Sequence, residues 1–162
     1  MSNARTIRVM IVDDHPMVRR GLAAFLRVRS DLELVGEAGD GQEALRVCQE
    51  VRPDVILMDL VLPGMSGGAA TRAIRSRCPQ MKVVALTSFQ DKELVREAME
   101  AGAISYLLKN VTAPEAAEAI RAAHIGRSTL APEALQALVQ TASEGPKPGS
   151  DLTESVRERS WS

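Results

Sequence analysis

Short apolar segments recur along the chain, and four of them stop at a polar residue. The first stops at the pair Asp13-Asp14, the second at Asp59, the third at Thr87 and the fourth at Lys109. Short apolar runs bounded by polar or turn residues are typical of buried strands. The pattern therefore predicts four buried strands, over residues 7–12, 55–58, 81–86 and 104–108.

Segments with helical periodicity separate these strands. A further segment, residues 32–38, alternates between apolar and polar side chains and predicts a strand at the edge of a sheet, whereas residues 55–58 are apolar on both faces and predict a central strand. Helices are expected after Pro16, Asp40, Gly68, Asp91 and Pro114. Strands that alternate with helices indicate an α/β fold with a parallel sheet. Five strand–helix units fill residues 5–126.

The two ends of the chain differ from this pattern. Residues 1–4 resemble a cloning remnant, and residues 127–142 predict an extra short helix that begins near Pro132. Residues 143–151 are rich in Gly, Pro and Ser, which is typical of a linker. Residues 152–162 form either a tail or the truncated start of another domain.

Composition narrows the functional classes. Hydrophobic residues make up 45% of the chain and aromatic residues only 2%, so the core is aliphatic and platforms for stacking bases are scarce. The net charge of −1 gives no electrostatic reason to expect binding to DNA or to a membrane surface. No apolar run approaches the length of a membrane span, and no signal peptide is visible. Cys48 and Cys78 lack metal-ligand spacing and predict reduced thiols in a cytoplasmic protein.

The polar residues at the strand ends predict one site. The carboxyl ends of parallel strands meet at one edge of a sheet, where ligands bind. Three carboxylates there indicate a metal site. An acid that remains free to react, beside a hydroxyl and a lysine, indicates a site that accepts phosphate.

These motifs resemble the receiver domain of two-component response regulators. The resemblance covers about residues 5–126 and is specific, because four motifs occur in the right order, each at a strand end. They are Asp13-Asp14, the segment from Asp59 to Gly67, Thr87-Ser88, and Tyr106-Leu107-Leu108-Lys109. The segment from His15 to Leu22 is similar to the LuxR/NarL-type subfamily. The resemblance implies a flavodoxin-like, doubly wound sheet of five parallel strands in the order 2-1-3-4-5 with five helices, to which the short sixth helix is added.

The resemblance also implies a role for each residue. Asp59 is the phosphoacceptor, and Mg²⁺ is bound by Asp59, by Asp14, by Asp13 directly or through water, and by the backbone carbonyl of Val61. Lys109 and Thr87 hold the phosphate, and Thr87 with Tyr106 forms the conformational switch. No other cofactor is implied. Such a domain is not an enzyme in the ordinary sense, because its phosphotransfer and dephosphorylation act on itself.

The implied partners follow from the same resemblance. A sensor histidine kinase supplies the phosphoryl group, and a homodimer forms on phosphorylation. DNA binding requires a C-terminal helix-turn-helix domain of about 60 residues, which this chain does not contain. Either the output is transcription in a longer parent protein, or the chain is a stand-alone receiver.

Two other functional classes remain as alternatives. Haloacid-dehalogenase-type phosphatases also use an aspartyl nucleophile, but they place a second acid where this chain has Val61. A flavodoxin-like cofactor binder needs aromatic residues that this chain scarcely has. His15 is expected at the rim of the pocket, and His124 at or near the surface, neither with a chemical role.

Overall fold

A computed structural model describes residues 6–88 and 91–128 of the chain. Strands and helices alternate throughout this part. The strands are β1 Ile7–Val12, β2 Leu32–Ala38, β3 Val55–Asp59, β4 Lys82–Thr87 and β5 Ser105–Leu108. The helices are α1 Pro16–Arg27, α2 Gly41–Val51, α3 Gly67–Arg77, α4 Lys92–Ala101 and α5 Ala113–His124.

The five strands form one parallel sheet in the order β2-β1-β3-β4-β5. The predicted fold class and strand order are therefore confirmed. All five residues of β3 are buried, as expected for a central strand, and the alternating β2 lies at an edge. The order reverses between β1 and β3, and a crevice forms beyond the carboxyl ends of strands at such a point.

The core is aliphatic, as the composition requires. Side chains of β1 and β3, including Val9 and Leu57, pack with Leu26 of α1 and Ile120 of α5. These four side chains are fully buried. The strand ends therefore extend from a rigid base, which fixes the positions of the polar residues that follow.

Local polar contacts fix the starts of the helices. The Asp40 carboxylate accepts a hydrogen bond from the Glu43 amide at 2.8 Å, and Thr112 forms a capping box with Glu115 at the start of α5. Asp91 precedes α4 as expected, but its side chain makes no capping hydrogen bond. Its backbone, with φ −93° and ψ 62°, departs from the extended conformation that capping side chains use.

Cys48 is buried and Cys78 half-buried, and both are free thiols. Burial raises the pKa of Cys48 to about 11, and the neighbouring Cys78 adds to this effect. At neutral pH the Cys48 thiol is therefore protonated and unreactive.

None of the helices in the described part of the chain is long and apolar enough to cross a membrane. The extra helix expected over residues 127–142 lies outside the described residues apart from its first two positions. The expected linker, the tail and the N-terminal remnant lie wholly outside them.

Candidate functional site

Three aspartates meet at the carboxyl edge of the sheet, where the strand order reverses. Asp13 and Asp14 directly follow β1, and Asp59 is the last residue of the neighbouring strand β3. Asp13 is 0% and Asp59 1% exposed, whereas the Asp14 side chain is 34% exposed. The cluster therefore has two buried carboxylates at its base and a third nearer to solvent.

His15 completes this cluster. Its Nδ1 atom lies 2.9 Å from Asp13 Oδ1, 3.1 Å from Asp14 Oδ1 and 3.9 Å from Asp59 Oδ2. Within the described residues, one ligand atom from each of these four side chains lies within 4.8 Å of the others. The sequence predicts His15 at the rim of the pocket, and its side chain is indeed 57% exposed, but the ring nitrogen faces the acids.

Lys109 brings the balancing positive charge. Its Nζ atom lies 3.1 Å from Asp59 Oδ2 and 3.5 Å from Asp13 Oδ2. The backbone positions it, because the Lys109 amide donates to the Thr87 carbonyl at 2.9 Å and so continues the pairing of β5 with β4. One ammonium group thus faces two buried carboxylates.

Burial controls the acidity of Asp59. It raises the pKa of this carboxyl, and the negative charge of Asp13 acts in the same direction. The Val61 amide, which donates to Asp59 Oδ1 at 3.2 Å, and the Lys109 ammonium oppose this rise. A positive charge placed among these carboxylates would therefore be strongly attracted.

Several carboxylate oxygens of the cluster are still available to a ligand. Asp13 Oδ2, Asp14 Oδ1 and Asp59 Oδ2 are buried atoms without a hydrogen-bond partner among the described residues. Buried polar atoms are rarely left so, and a bound ion is one of the usual reasons. Carboxylate oxygens in this number suit a hard divalent cation such as Mg²⁺.

Gly67 lets the start of α3 approach the end of β3. A Cβ atom at this position would lie 2.3 Å from the Asp59 carbonyl oxygen and 2.6 Å from Leu60 Cα. The Gly67 amide donates to the Leu60 carbonyl at 3.0 Å. The backbone that carries Asp59 is therefore held directly by the first residue of the next helix.

The other two expected site residues lie on neighbouring strands. Thr87 is the last residue of β4 and is 2% exposed, and its hydroxyl donates to the Ser88 carbonyl at 3.0 Å. Tyr106, on β5, is half-buried and pairs in register with Ala85 of β4. Neither contacts the carboxylates in this state.

The structure thus brings Asp13, Asp14, Asp59 and Lys109 together, as expected. It adds His15, for which the sequence carried one signal, its position directly after the two acids at a strand end. His124 is exposed at the end of α5, away from the cluster.

A five-stranded parallel sheet of this order, with acids and a lysine at its carboxyl edge, defines a receiver-type signalling domain. The response regulator receiver domain family matches residues 9–121. The chain belongs to this family, whose members are the phosphoacceptor domains of two-component signalling.

Individual relatives agree with this assignment. The chain is 55% identical, over 117 residues, to the transcriptional regulatory protein LiaR of Bacillus subtilis, which covers 72% of this chain and 56% of that protein. A two-component response regulator of the LuxR family from Aurantimonas sp. SI85-9A1 is 37% identical, with a TM-score of 0.75 over 86% of this chain and 99% of that one. The signal receiver domain of the response regulator NarL from Mycobacterium tuberculosis is 34% identical, with a TM-score of 0.72 over 76% and 99% of the two chains.

The chain spans about half the length of the curated relatives it matches. The resemblance to the LuxR/NarL-type subfamily is confirmed for the receiver part of these proteins. The activity and partners of the full-length relatives are a matter of proposal for this chain.

Proposed function

We propose that Asp59 accepts a phosphoryl group from a phosphohistidine of a sensor histidine kinase. The observation that carries this proposal is the position of the Asp59 carboxylate, which lies buried between Lys109 and Asp13 at the reversal point of the sheet. Such a carboxylate is held in one orientation and faces an ammonium group that suits a transferred phosphate.

The transfer needs one bond to form and one to break. An Asp59 carboxylate oxygen attacks phosphorus, the bond between phosphorus and the donor imidazole nitrogen breaks, and that nitrogen keeps the electron pair. Negative charge lies on the equatorial phosphoryl oxygens during transfer, so catalysis depends on positioning and on neutralisation.

Mg²⁺ is the cation that best suits the carboxylate cluster in this role. Asp14 and Asp59, with Asp13 directly or through water, and the Val61 carbonyl would hold it. When bound, it neutralises the carboxylates and the phosphoryl oxygens. Lys109 then exchanges part of its contact with Asp59 for a phosphoryl oxygen, as a point charge.

Thr87 and Tyr106 are proposed to convert phosphorylation into a change of shape. The Thr87 hydroxyl would leave the Ser88 carbonyl for a phosphoryl oxygen, and Tyr106, one strand away, would turn towards the space behind it. Local charge then selects between two arrangements of one element. The faces of α4, β5 and α5, or of α1 and α5, would present the resulting homodimer surface.

The proposed output is transcription, through a C-terminal DNA-binding domain that would follow residue 126 in a longer parent protein. Support comes from LiaR, whose name describes a transcriptional regulatory protein. We place the domain in the cytoplasm, where a sensor kinase would present its phosphohistidine. The domain acts on itself rather than on a separate substrate, and its own dephosphorylation is the matching reverse step.

Labelling with acetyl phosphate and Mg²⁺ tests the acceptor. Intact-mass spectrometry of the wild-type chain should show one added phosphoryl group, and Asp59→Asn should show none. Asp91→Asn is the matched control, because Asp91 lies at the start of α4 and makes no capping bond. Unchanged labelling of Asp59→Asn would remove Asp59 from the role.

A further inference from the structure

The position of His15 in the carboxylate cluster is unexplained by phosphoryl acceptance from Mg²⁺-bound carboxylates. Mg²⁺ takes oxygen ligands and scarcely uses imidazole nitrogen. A ring nitrogen that faces three carboxylates therefore adds a ligand of a different chemical kind to the site. This step rests on the proposed function only in that both use the same carboxylates.

The distances are those of a coordination shell. Zinc-like ions bind carboxylate oxygen and histidine nitrogen at about 2.0–2.2 Å, so neighbouring ligand atoms lie about 3 to 3.5 Å apart. His15 Nδ1 lies 2.9 Å from Asp13 Oδ1 and 3.1 Å from Asp14 Oδ1, and its 3.9 Å separation from Asp59 Oδ2 also suits two ligands of one ion. The buried oxygens Asp14 Oδ1 and Asp59 Oδ2 have no hydrogen-bond partner in the described part of the chain.

The backbone around His15 is fixed before any ligand arrives. The His15 amide donates to Asp13 Oδ1 at 2.8 Å, and His15 is the residue that precedes the first turn of α1. Arg19, one turn into α1, donates to the Asp13 carbonyl at 2.6 Å and pairs with Glu37 of β2 at 3.4 Å. The loop that carries both the acids and the imidazole is thus tied to the helix and to the edge strand.

We propose that His15 Nδ1 is a ligand for borderline divalent cations such as Zn²⁺, Co²⁺ and Ni²⁺, which share the carboxylate site with Mg²⁺. Without a metal, Nδ1 carries a proton and donates it to Asp13 Oδ1. When such a cation binds, that proton leaves, the lone pair of Nδ1 faces the metal, and the exposed side of the ring keeps the proton on Nε2. His15 therefore determines which metals compete for the phosphoacceptor site.

Histidine NMR gives a direct test, because the chain contains only two histidines. Full-length chain without an affinity tag is labelled with ¹⁵N-histidine and titrated with ZnCl₂ or MgCl₂. We expect the Nδ1 resonance of His15 to move to a metal-bound position with Zn²⁺ and not with Mg²⁺, while the His124 resonances stay in place. His124→Ala assigns the two residues. A His15 Nδ1 resonance that keeps its protonated or free position at saturating Zn²⁺ would overturn the proposal.

Calorimetric titration with NiCl₂, CoCl₂ and MgCl₂ supplies the affinity test. His15→Ala should weaken Ni²⁺ and Co²⁺ binding by about 10- to 100-fold and leave Mg²⁺ binding almost unchanged. His124→Ala should change none of the three, and Asp59→Asn should weaken all of them. Equal losses for Mg²⁺ and Ni²⁺ in His15→Ala would mean that the imidazole only orients Asp13, which contradicts a ligand role.

Acetyl phosphate labelling of the same samples separates this inference from the proposed function. Labelling of Asp59 without a Zn²⁺-dependent shift of His15 refutes the ligand role and leaves the phosphoacceptor standing. A shift of His15 without labelling supports the ligand role and refutes the phosphoacceptor.

Discussion

Substitution of Gly67 by Ala should disturb the site from behind. The new Cβ would lie 2.3 Å from the Asp59 carbonyl oxygen and 2.6 Å from Leu60 Cα, whereas ordinary contact begins near 3.4 Å. Both neighbours are backbone atoms, so the start of α3 and the end of β3 must separate by about 1 Å. Overpacking of this kind costs about 1–3 kcal/mol. In a domain of this size the melting temperature should fall by roughly 5–10 °C.

The same displacement should slow the chemistry more than it lowers the stability. A misplacement of about 1 Å at a reacting group can cost roughly 100-fold in rate. We therefore expect Gly67→Ala to label with acetyl phosphate far more slowly than wild type at a temperature where both are folded. Circular dichroism melting and a labelling time course by intact-mass spectrometry measure the two effects separately.

Gly21→Ala is the matched control. Gly21 lies within α1, and a Cβ there would meet nothing within 4 Å. Alanine should stabilise the helix by about 0.5–1 kcal/mol and leave labelling unchanged. The reasoning about Gly67 is refuted if Gly67→Ala melts and labels like wild type.

Three further outcomes are expected from other parts of the domain. Because burial raises the pKa of Asp59, its charged form opposes folding at neutral pH and this cost fades as the pH falls, so Asp59→Asn should melt above wild type at pH 7 in a chelating buffer; a lower melting temperature would contradict this. Arg121 lowers the pKa of Asp31, so their pair stabilises the fold above pH 3.8 and is lost as the pH falls through the lower folded value. Both side chains are over 40% exposed, and a double-mutant cycle should give about 0.2–1 kcal/mol at pH 7, less in high salt; coupling that survives at pH 2 would refute the pairing. Val61 is apolar and 54% exposed where an acid could activate water, so the phosphoprotein should decay slowly with Mg²⁺ present, and a half-life of seconds would exclude this.

Much of the fold could be predicted from the sequence, because its signals are local. Alternation in residues 32–38 predicted the edge strand β2, and the apolar run before Asp59 predicted the central strand β3, whose burial the structure confirms. Element ends shifted by a residue: Asp59 and Thr87 belong to their strands because the ladder between β3 and β4 continues through them.

The geometry within the site could not be predicted in the same way. The sequence places acids at strand ends, but the direction of the His15 ring depends on a hydrogen bond from its own amide to Asp13, which no periodicity reports. The close approach at Gly67 depends equally on a tertiary contact with β3. Asp91 shows the opposite case, in which a residue type favourable for capping precedes a helix without making the bond.

The acceptor lies on the strand most enclosed by the rest of the protein. Every residue of β3 is buried, and β3 pairs with β1 on one side and β4 on the other. Amide protons of such a strand exchange with solvent only when the whole domain unfolds, whereas loops open with little free energy. Deuterium exchange should therefore leave Ile56–Met58 protonated longest. The carboxylate would keep its orientation through every partial opening of the surrounding loops, and a change of signalling state could remodel those loops without disturbing the group that receives the signal.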